Sequence, residues 1–146
     1  MDKWILEEQK RLYKEYKEKL AELKKVENEK KAVGQVFTKG LLPVYVLYIL
    51  SMEPTNGNDI SRRIGENTNG LWIPSTGGIY PILKTFEKDG VISGSWNDEN
   101  KKIQKIYSLT DNGKLELENK KCLLKEKIEE SLQVFKKIYS DLYLSS

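Results

Sequence analysis

Thr76, Tyr80 and Lys84 stand at i, i+4 and i+8 in PSTGGIYPILKTFEKDGVI, residues 74–92. On a helix this spacing sets a hydroxyl, a phenol and a cation in one row. Such a row can donate hydrogen bonds to phosphate oxygens and base edges. Gly77 and Gly78 open the same segment. Each costs a helix about 1 kcal/mol against alanine, which points to a need for close backbone approach. A helix whose thin, positive N-terminal end meets a large anion is how a recognition helix meets DNA. The plainer alternative is a surface helix with a loose start.

The row needs elements to hold it. Ile79, Ile82, Leu83 and Phe86, at i, i+3, i+4 and i+7, give the opposite, apolar face of that helix. Ser75 is placed to cap its start and Asp89-Gly90 to end it. Residues 56–65 read as a shorter helix, with Asn56 as cap, Asp59 in the first turn, Ile60 and Ile64 on one face, and Arg62 and Arg63 on the other. The Asn/Gly-rich stretch 66–70 separates the two. Residues 40–51 form an apolar block that reads as a buried helix. After the row come two β-type runs, 91–96 and 103–109, separated by the turn residues Asn97 to Asn100 and by Lys101 and Lys102. The order is helix, helix, helix, hairpin with a basic tip, which is winged helix-turn-helix order.

Three blocks, GLLPVYVLYILSMEPTNG (40–57), IPSTGGIYPILKTFEKDGVI (73–92) and KKIQKIYSLTDNG (101–113), resemble the signature blocks of the PadR-type transcriptional regulators, in the same order and at the same separations. The resemblance spans residues 38–113, about half of the chain. It implies a winged-helix protein that binds double-stranded DNA, forms a homodimer through a long C-terminal helix and usually represses transcription, with release by a small-molecule effector in some members. Two positions depart from the family pattern. Gly57-Asn58 stands where the family commonly has Gly-Tyr. Lys102 and Gln104 replace the two arginines of its wing motif. Lysine is a point charge rather than a planar fork, so this wing is expected to touch phosphate.

On this reading Thr76, Gly77, Tyr80 and Lys84 enter or border the major groove, and Ser75 caps the helix beside a phosphate. Arg62 joins the DNA-binding set. Lys101, Lys102 and Lys105 place the wing on the backbone or minor groove. Net charge does not carry the case: the total is +3, and residues 38–113 hold eight Lys/Arg against eight Asp/Glu. A few placed cations per protomer predict a shallow dependence on salt, and a two-fold partner doubles each contact.

The flanks read as long helices. Residues 3–32 lack proline and glycine, and Ile5, Leu12, Tyr16, Leu20 and Leu23 fall near one stripe among charges. A narrow stripe wants a partner helix, the plainer alternative being a solvated, partly frayed arm. Over 112–143, Leu117, Leu124, Ile128, Leu132, Phe135, Tyr139 and Leu142 form a seam at heptad-like spacing. A second copy is the simplest cover for it. The expected organisation is a helical arm (1–34), a winged helix-turn-helix unit (35–111) and a dimerisation helix (112–146). The fold class is mainly α with a small β-hairpin.

Other chemistry has little support. The chain has no histidine and one cysteine, which removes the commonest general base and ordinary zinc sites, so no catalytic residue, cofactor or metal is expected. No phosphate-cradling loop motif occurs. Cys122 cannot form an internal disulfide and reads as a small, buried or half-buried helix residue. Trp72 and Trp96 read as packing residues rather than ligand contacts. No apolar run is long enough to span a bilayer and residues 1–8 lack a signal-peptide pattern, so a cytosolic protein without a membrane partner is expected. Two other functions fit the same residues: a DNA-binding protein of replication or plasmid maintenance, and a protein-interaction module whose wing is vestigial.

Overall fold

The computed structural model describes residues 2–97, 100 and 103–144, and the backbone alone for 27–39. It comprises α1 (Lys3–Met52), α2 (Gly57–Asn67), α3 (Thr76–Lys88), β1 (Ile92–Trp96), β2 (Lys105–Leu109) and α4 (Asp111–Tyr139), which runs on into a π-helical turn, Ser140–Leu144. This is the expected mainly helical class with one hairpin.

The helix starts follow local chemistry. Asn56 Oδ1 accepts a hydrogen bond from the Asp59 amide at 2.9 Å, and Ser75 Oγ accepts one from the Gly78 amide at 3.2 Å. Thr110 Oγ1 accepts one from the Gly113 amide at 3.0 Å. Each side-chain oxygen satisfies an amide that the first helical turn leaves without a partner. Gly90, with φ at 73°, ends α3 in the left-handed region that glycine reaches cheaply.

Helix α1 differs from the expectation. The sequence divides it into an arm and a separate apolar helix near residue 34, whereas the backbone is helical without a break for 50 residues, about 75 Å at 1.5 Å per residue. Gly34, Gly40 and Pro43 lower its local propensity, yet the helix runs on through them, and its C-terminal part is held by the core. Among the described side chains, α1 reaches the core through its C-terminal part, with Leu42, Val46, Leu47, Ile49 and Leu50.

Those side chains pack against Ile60 and Ile64 of α2, Ile79, Leu83 and Phe86 of α3, Ile92 and Tyr107 of the hairpin, and Leu117 of α4. The strands pair antiparallel, with Ile92 opposite Leu109 and Trp96 opposite Lys105. Thr55 adds a third strand position by exchanging backbone hydrogen bonds with Tyr107 at 2.8 and 3.0 Å. The linker between α2 and α3 turns through Asn69 and Gly70, both at positive φ. Trp72 in that linker is buried, edge-on to Tyr45 with ring centres 5.8 Å apart.

Helix α4 sits directly on the base of the hairpin. A Cβ at Gly113 would overlap the Val91 carbonyl oxygen. At Gly40 a Cβ would meet nothing within 4 Å. Gly113→Ala should therefore cost about 2–3 kcal/mol, whereas Gly40→Ala should gain up to about 1 kcal/mol. Thermal melts of the two variants measure this, and equal shifts would show that α4 does not rest on the hairpin as described.

Candidate nucleic-acid interface

Helix α3 is held by its buried face. Ile79 and Leu83 are fully buried, and Phe86 nearly so. Just before its cap, the buried Ser61 hydroxyl donates to the Pro74 carbonyl, tying the helix entry to α2. With the back of α3 fixed, Ser75, Thr76, Gly77, Tyr80 and Lys84 all face solvent, as the sequence row requires. Lys84 makes no ion pair with another described residue.

Gly77 and Gly78 are not required by the protein itself. Neither has positive φ, and beyond the helix's own backbone the nearest atom to a Cβ on either would be Ser75 Oγ, at 3.8 and 3.6 Å. Gly77 is exposed, whereas Gly78 is half-buried and its Cβ would lie 4.0 Å from Leu42 Cδ2, an ordinary contact.

Tyr80 does more than face solvent. Its ring lies over Gly57, where a Cβ would sit 3.0 Å from Cε1 and Cζ. The start of α2 thus forms the floor under the phenol, a pairing that the sequence row does not reveal. The side chain stays 46% exposed, so the phenol is still open to solvent.

The cations of α2 and the wing are largely engaged inside the chain. Arg62 lies between Asp59 and Glu66 on the exposed face of α2. Surface pairs of this kind contribute about 0–1 kcal/mol, so a phosphate can replace the carboxylates. Arg63 is half-buried and pairs with Glu53 at 3.1 Å. Asp59 accepts from Thr55 Oγ1 at 2.7 Å, and this bond, aided by Arg62, holds its carboxyl below the ordinary aspartate range. Lys105 is only 27% exposed, and its Nζ donates to Glu87 Oε1 at 2.8 Å, so its ammonium is turned inward rather than offered to a phosphate. No periodicity marks a partner 18 residues away. Lys101 and Lys102 lie outside the described residues.

On the other side of the core, Leu41, Val44, Tyr45, Tyr48, Trp72, Leu124 and Ile128 line an apolar groove of about 1080 Å³ between α1, the linker and α4. The expected C-terminal seam divides at this groove. Leu117 is buried in the protomer's own core, because α4 starts against the hairpin, and is not free to meet a partner. Leu124 is half-buried, and Ile128, Leu132, Phe135, Tyr139 and Leu142 are exposed. Leu12, Tyr16, Leu20 and Leu23 of the arm are exposed too, with Ile5 half-buried. Cys122 lies exposed on the groove rim, not buried as expected, because it falls off the face that packs.

The model of the transcriptional regulator PadR-like family matches residues 46–119, half of the chain. The chain belongs to the PadR-like family of transcriptional regulators. Among solved structures, it is similar to a PadR-like transcriptional regulator from Bacillus cereus, at 28% identity and a TM-score of 0.54, covering 66% of this chain and 93% of that one. It is similar also to a PadR-like transcription factor from Bacteroides fragilis, at 27% identity and a TM-score of 0.54, over 66% and 91%. A PadR family regulator from Eggerthella lenta shares the fold at 18% identity and a TM-score of 0.57, over 75% and 95%. No curated protein matches the chain. The family match starts inside α1, so the arm stands outside it. Among the described residues no helix is long and apolar enough to cross a membrane.

The depressed carboxyl of Asp59 makes a pH prediction. A carboxylate held below its unfolded value stabilises the fold above that value, about pH 3.9, and the stabilisation is lost as pH falls through the folded one. Asp59→Asn should lower the melting temperature at neutral pH. Its difference from the wild type should shrink as the pH drops below about 4. Melting curves from pH 3 to 7 check this; a constant gap would mean that Thr55 and Arg62 do not hold the charged form.

Proposed function

We propose that the chain is a homodimeric, sequence-specific DNA-binding repressor that lays α3 in the major groove of double-stranded DNA. The observation that carries the reading is the pair Gly77-Gly78. The two residues weaken the exposed start of α3, yet neither backbone conformation nor packing within the chain calls for glycine there. What remains is an outside surface that must come close to the backbone. Anion binding at a helix N-terminus makes a phosphate backbone the natural candidate. Thr76, the Tyr80 hydroxyl and Lys84 then face the groove, with Ser75 and Arg62 on phosphates. Lys101 and Lys102 bring the wing to the backbone.

The arms supply the dimer in this reading. The exposed apolar side chains from Ile128 to Leu142 would each cost about 1.5–3 kcal/mol if left in water, and the apolar groove beside Leu124 continues the same surface. A second copy covers both at once. The arm of α1 packs on the C-terminal helices and reinforces the contact.

Gly77→Ala separates the two roles of the α3 start. The variant should gain about 1 kcal/mol in stability, because alanine is the better helix former. Its affinity for a duplex selected by the wild type from a random library should fall about tenfold, the size of one lost base contact. Equal affinity would remove α3 from the groove.

Truncation separates the arms. Removing residues 1–32 should leave a dimer of lower melting temperature. Ending the chain after Lys121, which keeps Leu117 for the core, should leave a folded monomer that binds the selected duplex poorly. Sedimentation equilibrium decides: a monomer from the first cut or a stable dimer from the second reverses the assignment.

A further inference from the structure

We infer that Glu87 and Lys105 form a positioning brace that sets the wing against the recognition helix, so that both meet one duplex in register. The inference rests on the DNA-binding reading above and adds two residues to it that act through geometry rather than by touching DNA.

The base of the hairpin is anchored in the core by Ile92 and Tyr107. Its outer half is not. There the Lys105 ammonium bridges three elements: it donates to Glu87 at the end of α3, lies 5.7 Å from the ring centre of Trp96 on β1, and lies 5.6 Å from that of Tyr107 on its own strand. A cation over two aromatic faces and against a carboxylate is held in position, not merely in proximity. The strand beneath is cut away to admit it. A Cβ at Gly94 would lie 2.5 Å from both Glu87 Oε2 and Lys105 Cε, and Gly94 has no positive φ to explain its glycine otherwise. Both partners are shielded, with side chains 27% and 33% exposed. For Lys105 to reach a phosphate, it would have to leave a half-shielded carboxylate unpaired beside a polyanion.

The sign of one substitution separates a brace from a phosphate contact. Glu87→Gln removes an acid from the DNA-binding half and frees Lys105. If Lys105 were a phosphate contact, or if the pair were incidental, affinity should rise or stay level. If the pair is a brace, affinity for the selected duplex should fall by about tenfold, as for one lost base contact, while affinity for random-sequence duplex does not fall. Lys105→Met keeps the apolar stem over Trp96 and should show the same loss, with an unchanged slope of log affinity against log salt. A slope reduced by about one would reveal a lost phosphate contact and overturn the inference. The exchange E87K/K105E should recover part of the loss if the brace acts through the pair; no recovery counts against it. Fluorescence anisotropy on the full chain reads all three variants. If the wild type selects no sequence at all, the DNA-binding reading fails by itself. The brace is then judged by amide hydrogen exchange over 92–96 and 105–109, which should speed up in both single variants; unchanged protection would overturn it.

Discussion

The burial of the back of α3 in the core shared by α1, α2 and the hairpin is the constraint on which the remaining geometry depends. Leu42, Val46 and Leu47 on one side and Ile79 and Leu83 on the other are almost wholly shielded from water. Burial of that order is what can hold a short helix whose first turn carries two glycines. Once the back of α3 is fixed, its front is fixed too: a helix cannot turn Tyr80 and Lys84 outward without turning Ile79 and Leu83 inward. The polar bond from Ser61 to the Pro74 carbonyl then sets where the helix begins. The side chains proposed for recognition are thus placed by an apolar interface that contains none of them.

Charge works differently here from the way it works in a strongly basic DNA binder. Arg62, Arg63 and Lys105 all have carboxylate partners within the chain, leaving Lys84 as the unpaired cation among the described residues expected to meet DNA. Self-neutralised pairs add little long-range attraction, because the field of each cation is cancelled within a few ångströms. They supply orientation instead. A reader built in this way gains less from phosphate attraction and depends more on presenting two elements at the right angle.

Much of this architecture is legible before any coordinates. The caps at Asn56 and Ser75, the stop at Gly90, the apolar rows of α2 and α3 and the hairpin with its turn composition all rest on rules that act within a few residues, and such rules are written directly into spacing. The resemblance of three blocks in order converts those local readings into one topology. The division of α1 near residue 34 is one that local rules suggest and the backbone does not make, because glycine and proline lower helix propensity without forbidding a helix whose end is held by packing.

What the sequence by itself determined is therefore which faces are apolar, where each element starts and stops, and which side chains stand in the row on α3. Only the tertiary structure decided which polar groups meet. Tyr80 on Gly57, Lys105 on Glu87 across Gly94, and Arg63 on Glu53 join residues on different elements. Such meetings follow from the rotation and offset of one packed element against another. The same geometry drew Leu117 into the protomer's own core and left Ile128 to Leu142 outside, although all of them lie on one heptad-like seam. Periodicity states that a face must be covered; the packing of α4 on the hairpin states where its own domain ends and another surface is needed.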